Sequence, residues 1–128
     1  MQQVLISDVS TRGVAGARRL GSYSTPFSHA DEAWIWAMGA LASRRNGERA
    51  FGRSGVVRPC EPDDVIKCLD MVYKKGGVTL AHARVLAKWG ERRLPPSARH
   101  LSEAEDARLW DEALVHLGFA LRMKGIVA

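Results

Sequence analysis

Apolar positions recur with helical period in four stretches of this chain, and the polar residues between them mark where each helix begins and ends. Over residues 62–75, Val65, Ile66, Leu69, Val72 and Tyr73 form one stripe. Pro62 suits a first helical position. Asp63 and Asp64 follow where the helix dipole favours negative charge, and Lys74 and Lys75 lie where it favours positive charge. Gly76 and Gly77 supply a left-handed stop. Thr79 then caps a second helix over 79–92, with Leu80, Ala83, Leu86 and Ala87 as its inner face. Arg84, Lys88 and Arg92 recur every four residues on its outer face, with Arg93 beside them.

Two further helices flank this pair. One runs over 28–45, opened by Ser28 with Asp31 and Glu32 in its first turn and closed at Asn46-Gly47. Trp34, Met38 and Leu41 make its apolar row, Ile35 and Ala42 widen it, and Trp36 points toward another element. The other runs over 102–124, where Ser102 and Glu105 have capping-box spacing. Trp110, Ala113, Leu114, Leu117 and Leu121 line one of its faces, and Leu109, Phe119 and Met123 flank that stripe. The expected fold is an all-α bundle of about four helices forming a single domain over 28–128.

The remaining segments lack periodicity. Residues 1–27 alternate briefly in VLISDVS and then become rich in Gly, Ser and Arg, so they read as an irregular arm. Residues 46–60 form a basic, glycine-rich loop with Arg53 and Arg58 exposed; Val56 and Val57 could pair with the early VLI as a small ribbon. The loop's GRSG resembles a phosphate cradle but lacks the Lys-Ser/Thr end of a P-loop. Leu94-Pro95-Pro96-Ser97 stops the second helix and forms a rigid connection.

Charge is distributed unevenly. Residues 1–60 carry eight Arg against four acids, and residues 61–73 one Lys against four acids. Residues 74–100 carry seven basic groups against Glu91 alone, a net +6, and residues 101–128 three bases against five acids. The total is +5. Clustering of this kind is an electrostatic footprint for a polyanion.

Two helices joined by a short glycine turn are the pattern of a helix-turn-helix. VTLAHARVLAKWG is similar to the second half of such a unit, and in general style the chain resembles the small regulators of bacterial mobile elements and phages. Tyr73 departs from the pattern, because it stands where such units carry a small residue; the turn is then wider, or the pair is an ordinary helical hairpin. The resemblance implies sequence-directed DNA binding in transcriptional control by residues 62–92. Arg84 and Lys88 would face the major groove with His82 and Thr79 nearby, and Lys74, Lys75, Arg92, Arg93 and Arg99 would hold phosphates. It also implies a homodimer, with the 102–124 helix as its interface. Two alternatives come from other classes: an adaptor whose basic face docks an acidic partner, and a packaging protein that grips DNA without sequence preference.

Other chemistry finds little support. Cys60 and Cys68 have no CxxC spacing, and the four His do not complete a zinc pattern. Ser22, Ser24 and Ser28 near His29 lie on loop and cap, and the pairs Asp63/Asp64 and Asp111/Glu112 are explained by capping and solvation. Neither an enzyme nor a cofactor is expected. Two thiols without a framework, and a start free of a basic leader or long apolar run, suggest a cytoplasmic protein without a membrane segment.

Overall fold

A computed structural model of the chain describes residues 24–47 and 56–128. Within them are four α-helices: α1 (Ala30–Arg45), α2 (Pro62–Lys74), α3 (Leu80–Arg92) and α4 (Ala104–Met123), the last preceded by a 3-10 turn at Leu101–Glu103. The all-α expectation holds. None of these helices is long and apolar enough to cross a membrane. The arm residues up to 23, its Arg12, Arg18 and Arg19, the VLI half of the expected ribbon, and Arg53 in GRSG lie outside the described residues. Of that ribbon, Val56 and Val57 are described, and the Val57 carbonyl accepts a hydrogen bond from Thr25 N at 2.7 Å.

The helix ends follow backbone chemistry, with some shifts from expectation. Glu61 and Asp64 form a reciprocal capping box around Pro62, which stands at the start of α2. Gly76, with φ +83°, takes the left-handed position after α2, and Thr79 caps α3. Helix α1 begins at Ala30 with His29 as N-cap, one position after the expected Ser28; the Ser28 N–H donates to Glu32 Oε1 at 3.0 Å instead. The capping box expected from Ser102 and Glu105 does not form. Ser102 is used in the 3-10 turn, and the Glu105 carboxylate is held by Arg108.

Helix α1 packs against the other three helices, and α4 does the same. Helices α2 and α3 each lie against both α1 and α4. They touch one another at most slightly, although only the turn from Lys75 to Thr79 separates them. The close crossing of a helix-turn-helix is therefore absent from this packing.

The core holds Trp34, Val65, Cys68, Leu86, Trp89, Trp110, Leu117 and Leu121. It also holds Phe27, which is fully buried although the pattern assigns it to the arm. In α2 Cys68 enters the core, whereas Tyr73 at the end of the predicted stripe stays exposed. In α3 the buried residues are Val85, Leu86, Trp89 and Gly90, so the helix is rotated from the predicted face. Leu80 is half exposed and Ala87 exposed. Burying the large Trp89 indole outweighs burying an alanine and one leucine.

One crossing sets the α1–α3 distance. Trp34 Nε1 donates to the Leu86 carbonyl at 2.9 Å in the buried interior. Gly90 makes room for it: a Cβ there would lie 2.7 Å from both Trp34 Nε1 and Met38 Cγ. Helix α1 is thus the helix whose aromatic reaches another helix's backbone, and WIWAM serves packing. Trp36 rests on Phe27, ring centroids 5.1 Å apart. Gly90→Ala should destabilise the fold by about 1–3 kcal/mol through overpacking. Urea denaturation checks this; a stability equal to that of the parent chain refutes the crossing.

Candidate nucleic-acid interface

The predicted DNA contacts divide into side chains that hold the fold together and side chains left in solvent. His82 belongs to the first group. Its Nδ1 accepts the Thr79 N–H at 3.0 Å, so its Nε2 carries the proton and donates to Glu112 Oε1 at 3.0 Å. The imidazole is only 14% exposed. It joins the start of α3 to the middle of α4 and does not face solvent. Thr79 is likewise occupied in the cap, its Oγ1 accepting from His82 N at 3.4 Å.

Lys88 also turns toward α4. Its Nζ donates to Asp106 Oδ2 at 3.0 Å, and the Trp89 indole N–H donates to the same oxygen at 2.9 Å. The Arg92 guanidinium covers the Trp89 ring at 4.7 Å from its centroid. Asp106 therefore gathers a buried indole and an ammonium, and these hydrogen bonds, from Trp89 first and then Lys88, lower its pKa. Sequence pattern assigned Glu112 to a solvated face and offered no partner for Asp106. The signal that could have revealed Asp106 is the need of a buried tryptophan N–H for an acceptor.

The remaining cations stand on the surface. Lys74 pairs with Asp70 at 2.9 Å across one helical turn, with both side chains largely exposed. Arg93 takes the left-handed C-cap of α3, with φ 58°. Lys75, Arg84 and Arg99 are exposed and form no ion pair among the described residues. Arg84 is thus the outward-facing cation of α3 itself, as the periodicity predicts, whereas Lys88 and Arg92 are drawn to one side. All seven cations from Lys74 to Arg99 remain exposed to some degree.

Arg58 differs from expectation in the opposite sense. Its guanidinium lies 4.1 Å over the Phe27 ring, donates to the Thr25 carbonyl at 3.2 Å and pairs with Glu32 at 3.5 Å. It fastens the segment before α1 to the segment before α2, and its charge is neutralised there.

Nucleophilic chemistry is poorly served. Burial, reinforced by the Asp64, Cys68 and Glu61 charges, pushes the Cys60 thiol up to about 12, and burial raises Cys68 as well. Among the described residues no group of three His, Cys, Asp or Glu side chains could hold a metal ion. No protein-family model, curated protein or solved structure matches the chain.

Two expectations follow from this geometry. His82→Ala removes an acceptor at the helix cap and a link between helices, and should cost about 1–2 kcal/mol in chemical denaturation. An unchanged midpoint would show that the link is idle. The carboxyls of Glu105, Asp106 and Glu112 are all held below the usual range, chiefly by hydrogen bonds from Arg108, Trp89 and His82 respectively. Depressed carboxylates stabilise the fold above their unfolded pKa, near pH 4, and lose that contribution as pH falls through the folded values. The acid limb of a stability–pH curve should therefore flatten in Asp106→Asn relative to the parent; an identical acid limb would refute the role given to Asp106.

Proposed function

We propose that the protein binds duplex DNA as a transcriptional regulator, acting as a homodimer, with α3 and its two flanking turns as the DNA-facing surface. The observation that carries this reading is the exposed run of seven cations from Lys74 to Arg99, with Glu91 the sole acid in that span. Among the described residues, Lys75, Arg84 and Arg99 have no paired carboxylate to give up on binding phosphate. The exposed Lys74–Asp70 pair is worth little in water and exchanges readily for a phosphate.

The reading does not rely on a close α2–α3 crossing. Helix α3 is presented by α1 and α4, through Trp34 on one side and His82 with Asp106 on the other. Arg84 projects from the side opposite the core, where it can reach base edges; Lys75 and Arg99 flank it in sequence and hold phosphates.

A second reading has its own support. Leu80 and Leu94, 50% and 59% exposed, lie in the same span as the cations, and Leu101 just beyond it is 96% exposed. Cations interleaved with apolar side chains suit an acidic, amphipathic protein partner, for which this surface would be an adaptor.

Binding to duplex DNA, followed over a salt series, separates the readings. Log affinity should fall linearly with log salt, by about −0.9 per phosphate neutralised, so a slope of about −2.7 per subunit corresponds to Lys74, Lys75 and Arg99 on phosphates with Arg84 on base edges. Arg84→Ala should reduce discrimination between a selected site and a scrambled one by roughly 1–3 kcal/mol, whereas Lys75→Ala should weaken both alike. Equal loss on both sequences in the Arg84 variant would leave a non-specific DNA-packaging role. No binding at low salt would overturn DNA recognition and leave the adaptor.

A further inference from the structure

Helix α4 carries an apolar stripe on its solvent side that the fold leaves uncovered. Val115, Phe119 and Met123 recur every four residues and are 68%, 66% and 73% exposed. The opposite side of the helix is already committed to the core through Trp110, Ala113, Leu117 and Leu121. Leu109, expected from sequence to flank the core-facing row together with Phe119 and Met123, is half-buried against the core and does not extend the exposed stripe. Water is a poor solvent for three large apolar side chains in a row, and a partner surface is the usual reason for such a row on a stable helix.

The charges beside the stripe say what kind of partner. At 100° per residue, Asp111 and Arg122 fall on the same edge of it. Both are exposed, and neither forms an ion pair among the described residues. Arg108 and Glu112, by contrast, are tied to one another, and Glu112 also to His82. Residue 117 is midway between Val115 and Phe119; Asp111 precedes it by six positions and Arg122 follows it by five.

That spacing has a two-fold consequence. With a second α4 laid antiparallel across this midpoint, Val115 meets the partner's Phe119, and Asp111 comes within one residue, about 1.5 Å along the helix, of the partner's Arg122. The rotation repeats both contacts, giving two apolar pairs between two ion pairs on one edge. In a parallel pair the two-fold would carry Asp111 and Arg122 to the opposite edge of the interface in the partner, and neither ion pair would form. We propose that this face of α4 is the antiparallel interface between two copies of the chain, centred between Val115 and Phe119 and registered by Asp111 and Arg122. The inference deepens the homodimer part of the function proposed above, and it places that interface on the acidic last segment, away from the cations of α3.

Sedimentation equilibrium of the full chain in reducing buffer, without DNA, tests it. The parent chain should reach twice 14.1 kDa in the micromolar range. Phe119→Asp should be monomeric with an unchanged helical circular-dichroism spectrum and melting temperature, because Phe119 contributes little to the monomer core. Asp111→Arg and Arg122→Asp should each weaken dimerisation about tenfold or more by opposing like charges, and the double swap should restore it. A parent chain at 14.1 kDa throughout overturns the proposal, as does a Phe119→Asp variant that stays dimeric. Single swaps without effect, or a double swap no better than either single, overturn the antiparallel register. These readouts contain no DNA, so failure of DNA recognition leaves them unaffected.

Discussion

Everything in this bundle depends on how closely α1 can approach α3. The approach is set by one hydrogen bond, from the Trp34 indole to the Leu86 carbonyl, and by the missing side chain at Gly90 that lets the indole in. The bond is made in the dry interior, where an unsatisfied indole N–H would be costly. With α1 held there, α3 can be rotated only so that Val85, Leu86 and Trp89 point inward. That rotation decides which of its cations face outward and which lean on α4.

The second seam, between α3 and α4, is built from polar groups around a buried ring. Asp106 accepts from Trp89 and Lys88, Arg92 lies over the same indole, and one turn from the other end of α3 His82 reaches Glu112. Residues of the basic helix are thereby used against the acidic start of α4. The basic surface left without ion pairs among the described residues is narrower than the sequence charge suggests, and it centres on Arg84 with the turns on either side.

The helices themselves were legible from the sequence because their punctuation is chemical. Pro62, Gly76 and Thr79 mark ends that no packing partner needs to specify. Facing was less legible. Leu80 and Leu86 look equivalent in a periodicity count, yet one is half exposed and the other fully buried, because Trp89 and Trp34 decide the rotation from outside the local pattern. The roles of His82, Lys88 and Arg58 were hidden for a related reason. Their partners, Glu112, Asp106 and Phe27, lie 30, 18 and 31 positions away, and no local spacing rule reaches that far. The cations that local reasoning placed well, Arg84 and Lys75, are those whose setting depends on nothing beyond their own helix or turn.

The segment after α4 has a consequence for how the domain is made. Gly125 turns the chain back, Phe27 N–H donates to the Ile126 carbonyl at 2.9 Å, and Ala128 N–H donates to the Phe27 carbonyl at 2.8 Å. Phe27, Ile126 and Val127 are all buried by this clasp. The contact joins residues a hundred positions apart, so it pays its loop-closure entropy only after nearly the whole described chain exists. On a ribosome, the Trp34 crossing can form while α4 is still in the exit tunnel, but Phe27 then has only Trp36 and Arg58 against it until residues 126–128 emerge. For that interval a growing chain carries a half-covered phenylalanine beside a half-built core, which is the kind of surface that chaperones bind.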